Sequence, residues 1–190
     1  MTITEFDKVK SARKIGEVYL WEDTNDPDYD RKLRISYEKD LSNSFLKEQQ
    51  TIVYLIVVDG EIYKIGGSST ASGFKGLLGL YMRTTGAPGS NRYIVNRLMH
   101  KYLEEGKRVE FYAVYIPSYM REIPTPDGPV FKRTVDTHTT MESEWISKYR
   151  EKNNGEYPIW NFQECPKNRN SLYEKFNNEW KDYRNKKKRV

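Results

Sequence analysis

The chain has 190 residues, of which 37% are apolar and 31% charged, with a net charge of +5; this suits one domain with a single core under a heavily charged surface, and a basic balance favours an anionic partner. One cysteine, Cys165, excludes an intramolecular disulfide and a thiolate metal cluster, and with only two histidines beside it a structural zinc site fits poorly. No apolar run approaches the roughly 18 residues of a membrane span, and residues 1–16 lack the apolar centre of a secretory signal, so the expectation is a soluble, cytoplasmic protein in a reducing compartment.

Residues 1–48 are charged and only loosely periodic, with a loop at 24–30 (TNDPDYD) and a helix candidate in SYEKDLSNSFLKEQQ. The clearest element follows at 52–66, IVYLIVVDGEIYKIG, where two β-branched runs flank Asp59-Gly60, a strong hairpin signal. GGSSTASG (66–73) is a small-residue segment without the Gly-Lys-Ser ending of a phosphate-binding P-loop. FKGLLGLYMRTTG suggests a short helix weakened by Gly76 and Gly79. Ser90 or Asn91 is placed to cap the next helix, in which Ile94, Val95, Leu98, Met99, Tyr102 and Leu103 keep helical spacing up to a stop at Gly106.

RVEFYAVYI (108–116) reads as a strand, rich in aromatic and β-branched residues. PSYMREIPTPDGPVFKRTVD, with four prolines, reads as an excursion outside the core. Helices are expected at 139–152 and over SLYEKFNNEWKDYR, before a basic tail, Lys186 to Arg189. The predicted fold is α+β: a small antiparallel sheet containing a β-hairpin, flanked by helices. Its organisation divides into an extension over 1–50 packing on the core, a core over 51–165, and a C-terminal helix with its tail over 166–190.

Chemistry concentrates at two places. In the hairpin, a two-residue turn sets Val58 against Glu61 and puts Tyr54 on one face with Tyr63. A three-residue loop with a bulge at Gly60 sets Tyr54 opposite Lys64 instead. The residues leave both registers open, and both tyrosines also serve as plain strand aromatics. On the 139–152 helix, Glu142 shares a stripe with Trp145, Ile146 and Tyr149, whereas Glu144 points away. A carboxylate on an apolar stripe is costly unless it is paired, protonated or bound to a metal, or reaches solvent from the stripe's edge. Arg83, Arg92, Arg97 and His100 read individually as solvated surface, and His138 has no partner at metal-ligand spacing.

The tripeptides VYL (53–55) and KIG (64–66), then a helix carrying Glu142 in MESEWISKY and an asparagine in YPIWNF, come in the order found in the GIY-YIG endonucleases. The resemblance covers roughly residues 51 to 162. Both tripeptides are degenerate, and Lys64 replaces the second tyrosine, as in a family subset that includes restriction enzymes. The resemblance implies a DNA endonuclease of restriction or phage type, hydrolysing phosphodiester bonds of double-stranded DNA with Mg²⁺ or Mn²⁺. It favours the bulged register and implies a site of Tyr54 (general base), Lys64, Arg83, Glu142 (metal ligand) and Asn161 (orienting the site). Lys75 and Arg92 rival Arg83 for the family's arginine role, and the family's auxiliary histidine has no counterpart after Arg83. A homodimer would address two strands with two identical sites. The alternatives are a non-catalytic nucleic-acid-binding module on a nuclease fold, or an interaction protein whose tyrosines only pack.

Overall fold

The computed structural model describes residues 1–21, 33–69, 71–82, 89–116, 119–124, 126–128, 130–135 and 137–187. A five-stranded antiparallel sheet is built from β1 (Arg13–Leu20), β2 (Leu33–Tyr37), β3 (Thr51–Val58), β4 (Glu61–Ser68) and β5 (Val109–Ile116), in the order β2-β1-β5-β3-β4. The helices are α1 (Ile3–Phe6), α2 (Asn43–Lys47), α3 (Gly73–Met82), α4 (Ser90–Glu104), α5 (His138–Lys152) and α6 (Ser171–Lys187). The proline-rich excursion forms a two-stranded sheet of its own, β6 (Tyr119–Pro124) with β7 (Val130–Val135). The expected α+β sheet with its hairpin and flanking helices is therefore present.

All eight residues of β3 are buried, which explains why TIVYLIVV shows no polar alternation: both faces of the strand are covered. One face places Ile52, Tyr54, Ile56 and Val58 against residues of α3, α4 and α6 together with Trp160 and Phe162. The other places Val53, Leu55 and Val57 with Phe6 of α1 and Ile146 and Tyr149 of α5. Between α4 and α6, Arg97 Nε donates to Glu179 Oε2 at 3.1 Å, and its guanidinium lies over Phe176. Arg97 and His100 are buried rather than solvated as expected, because α6 covers this side of α4 and His100 Nδ1 lies 3.4 Å from Glu104.

The hairpin corrects the expected register. Asp59 and Gly60 both have positive φ, 48° and 85°, and Val58 stands opposite Glu61, so the loop has two residues. The extra residue enters further along, where the ladder shifts between Ile56–Lys64 and Val57–Ile62. That bulge lets Ile62 and Ile65, three apart, both pack on the α5 side. It also returns Lys64 to the face of Tyr54, although the residue opposite Tyr54 is Gly66. The bulged register had the face right and the bulge in the wrong place.

Two further expectations change. The N-terminal 48 residues contain β1 and β2; the pattern of β2 is blurred because it is a partly exposed edge, and that of β1 because its buried positions do not alternate. Helix α4 begins at Ser90 with Gly89 as its N-cap and no side-chain cap bond, so neither Ser90 nor Asn91 caps it. Gly106 does end that helix, at φ 76°. Among the described residues, no helix is long and apolar enough to cross a membrane.

The outer edge of β4 is covered from the hairpin turn to Ile65. Ile62 N–H donates to Met1 and Ile3 N–H donates to the Gly60 carbonyl, while Trp160 N–H donates to the Tyr63 carbonyl. Asn161 accepts from Ile65 N–H at 2.9 Å through Oδ1 and donates to the Ile65 carbonyl at 2.8 Å through Nδ2. A primary amide thus completes the ladder where a sixth strand would otherwise sit, and the edge is held in place.

Candidate active site

A cleft of about 370 Å³ opens beside the C-terminal half of β4. Its lining includes Tyr54 of β3, Lys64 and Gly67 of β4, Tyr81 of α3, Arg92 in the first turn of α4, and Glu142 of α5. Tyr54 and Glu142 approach from opposite faces of the sheet. What lets them meet is the glycine pair. A Cβ at residue 66 would overlap the Tyr54 ring at Cζ and Oη, and a Cβ at residue 67 would stand 2.8 Å from Glu142 Oε2 and 3.0 Å from the His138 carbonyl. Successive positions on a strand face opposite sides. Two adjacent glycines therefore clear both sides of one edge strand, and groups from two layers share one cleft.

Tyr54 is buried, and its hydroxyl lies 2.6 Å from that of Tyr81, with the rings edge to face. Burial, then the neighbouring Tyr81, holds the Tyr54 phenol well above its usual ionisation range; Glu142 adds to this and Arg92 opposes it. Tyr81 is itself fixed from behind, its carbonyl accepting from Asn96 Nδ2 at 2.5 Å. Glu142 is half-buried, one turn into α5, on the stripe that continues through Ile146 and Tyr149 into the core. Burial raises its carboxyl above the usual value, with Glu164 adding; Lys64, the Gly67 N–H and His138 work in the other direction.

Of the residues expected from sequence, the fold brings Tyr54, Lys64 and Glu142 into one cleft, together with the rival cation Arg92. Asn161 lies outside the lining and grips Ile65 of β4. Lys75 is exposed on α3 and donates to Asn43, away from the cleft. Arg83 lies outside the described residues. Sequence reasoning missed Tyr81, whose spacing with Phe74, Leu77 and Leu78 marks it as an ordinary core position of α3. The paired glycines were visible in KIGG, but only the tertiary contacts give them a reason.

No protein-family profile matches the sequence, and no curated protein sequence matches it. Solved structures do. A mutant of bacteriophage T4 EndoII superposes with a TM-score of 0.55 at 20% identity, over 79% of this chain and 96% of that one. The chain shares the fold of that protein. A second match is restriction endonuclease HPY188I in complex with product DNA, at 19% identity and a TM-score of 0.48, covering 84% of each chain.

The cleft lining carries one carboxylate, Glu142, and no cluster of three metal-ligating side chains occurs among the described residues. That donor set suits a hard, water-retaining cation such as Mg²⁺, held by one or two carboxylates and by substrate phosphate, and does not suit zinc. A half-buried carboxyl raised by desolvation also gains from a nearby cation, so the residues fit a magnesium-type ion held at Glu142.

Proposed function

We propose that this chain is a divalent-metal-dependent endonuclease that hydrolyses phosphodiester bonds of double-stranded DNA. The observation that carries the reading is the cleft, in which a tyrosine pair, a lysine, an arginine and a glutamate converge at a glycine-cleared sheet edge. The fold shared with T4 EndoII, the basic charge and the motif order resembling the GIY-YIG family support it.

In this reading Tyr54 Oη takes the proton of the attacking water. Its phenol is neutral in the free protein, because burial opposes the phenolate. Lys64, on the same face of β4, and Arg92 supply the positive charge that favours ionisation once water is displaced from the cleft. Tyr81 donates its hydroxyl hydrogen to the Tyr54 oxygen, which holds the phenolate in position. Glu142 is the metal ligand, and a bound Mg²⁺ or Mn²⁺ would supply Lewis-acid polarisation of the phosphate. Arg92, the described arginine that lines the cleft beside Lys64, neutralises a non-bridging phosphate oxygen; Arg83 is proposed as a further cation for that charge. Asn161 acts at one remove, keeping β4 and therefore Lys64 and both glycines in register. A homodimer would bring two such clefts to the two strands.

The deciding experiment is plasmid cleavage with Mg²⁺ or Mn²⁺, comparing wild type with Glu142→Ala and Tyr54→Phe. Cutting that both substitutions abolish is the expected result. Cutting that survives both overturns the assignment. No cutting with DNA binding retained replaces the enzyme with a binding module.

A further inference from the structure

Asn96 is a polar residue at a core position of α4. It is wholly buried, at 0% exposure, in a stretch with Ile94, Val95, Leu98 and Met99, and its Oδ1 has no hydrogen-bond partner. A buried polar side chain with one end unsatisfied costs stability, and an apolar side chain of similar size avoids that cost. The other end of the amide explains its presence. Asn96 Nδ2 donates to the Tyr81 carbonyl at 2.5 Å. Tyr81 is the penultimate residue of α3, where carbonyls have no partner within the helix. Such a carbonyl can be satisfied in several ways. A side chain from a second helix satisfies it and also fixes where the last turn lies.

Tyr81 is held at both ends. Its carbonyl is gripped by Asn96, and its hydroxyl lies 2.6 Å from that of Tyr54. Between them its ring packs edge-on against Tyr54 and tilted against Phe111 of β5, with centroids 5.9 Å and 6.0 Å apart. A hydrogen bond between hydroxyls weakens steeply as distance and angle depart from the optimum. A small shift of the last turn of α3 is therefore enough to part the two phenols.

We propose that Asn96 is a positioning residue for the cleft, whose grip on the Tyr81 carbonyl keeps the Tyr81 hydroxyl on Tyr54. The chemical consequence rests on the nuclease reading above, in which Tyr54 takes the proton of the attacking water and Tyr81 steadies the phenolate. Asn96 itself lies outside the cleft lining and acts through Tyr81. Its loss should therefore slow the bound complex and leave DNA affinity as it was.

The first reading does not depend on cutting. Proton NMR of the free protein should show the hydroxyl hydrogen of the Tyr54–Tyr81 bond as a far-downfield signal, assigned by its absence from Tyr54→Phe and Tyr81→Phe. In Asn96→Leu, a near match in volume, the signal should shift or vanish while circular dichroism shows a folded chain. Single-turnover cleavage with Mg²⁺ at saturating DNA should fall by about tenfold to a hundredfold, with the half-saturating DNA concentration unchanged. In a double-mutant cycle, Asn96→Leu should add less than about twofold to the loss that Tyr81→Phe already causes, because its effect runs through that hydroxyl.

A hydroxyl signal that stays in place in Asn96→Leu overturns the proposal, as does its absence from wild type. So does a full, independent loss of rate in the Tyr81→Phe background. If Asn96→Leu does not fold, Asn96→Ala removes the amide without adding bulk and carries the same readings. A chain that folds in neither variant makes the bond a purely structural one, which also overturns the proposal. A wild type that never cuts with Mg²⁺ or Mn²⁺, yet loses the hydroxyl signal in Asn96→Leu, refutes the nuclease reading and leaves the positioning of Tyr81 standing.

Discussion

The ring of Tyr54 lies across its register partner Gly66, leaving no room there for a Cβ. The next residue, Gly67, does the same for Glu142 on the opposite face. The two substitutions should therefore fail differently. In Gly66→Ala the new methyl group displaces a buried ring and breaks the Tyr54–Tyr81 bond, so both stability and DNA cleavage should fall. In Gly67→Ala the methyl group meets the end of the Glu142 side chain and, at 3.0 Å, the His138 carbonyl, so the protein should lose less stability than Gly66→Ala while cleavage drops about a hundredfold, as expected for a reacting group moved by about an ångström. Thermal melts with and without Mg²⁺ separate the cases: Gly67→Ala should keep a metal-free Tm above that of Gly66→Ala and lose any metal-dependent rise.

Among the rival cations, geometry selects Arg92 over Lys75. Arg92→Ala should lower single-turnover cleavage by about 10²- to 10³-fold, the range found when a donor to transition-state charge is removed. Lys75→Ala should leave the rate near wild type. A Lys75→Ala variant as damaged as Arg92→Ala would show that the cleft is misassigned. Arg83→Ala in the same series measures whether a second cation is used.

Asn161→Ala removes the amide that satisfies both backbone groups of Ile65 in a buried setting. Leaving those groups unpaired should cost about 2 to 4 kcal/mol of stability. Urea denaturation followed by tryptophan fluorescence provides the check. A loss of activity with unchanged stability would instead assign Asn161 a direct part in the reaction.

Burial holds several phenols above their ordinary range. Burial and then Tyr102 push Tyr63 to about 12, and burial pushes Tyr115 to about 12; Tyr54, Tyr112 and Tyr149 move the same way. The folded protein therefore retains protons that the unfolded chain releases near pH 10. Stability from these groups is fully present below that value and should be lost as the pH rises from about 10 toward about 12. Lys14, raised by its bond to Glu110 and then by Glu38, contributes with the same sign. Absorbance at the phenolate band should rise cooperatively with alkaline unfolding, and the urea midpoint should fall over this interval. A gradual titration of every tyrosine near pH 10, without unfolding, would contradict the burial.

Much of this architecture is local enough to be read from the chain. Asp59-Gly60 between β-branched runs determines the hairpin, the spacing from Ile94 to Leu103 determines α4, and the stripe through Glu142, Trp145, Ile146 and Tyr149 determines which face of α5 turns inward. These follow from backbone preference and side-chain period, which neighbouring residues carry among themselves. Of the two N-terminal strands, β2 escaped because a partly exposed edge strand needs no clean alternation, and β1, an inner strand, because its burial pattern does not alternate. The bulge at Tyr63 and Lys64 escaped because it is set by packing: Ile62 and Ile65 must both reach the α5 layer. Tyr81 shows its part only once α3 is laid over β3, and the glycines that open the small-residue segment GGSSTASG show theirs only where two layers pass one edge. The sequence by itself determined the elements and the residue types available for phosphate chemistry. Tertiary structure decided which of them share a cleft, because that depends on distances between groups that no local pattern encodes.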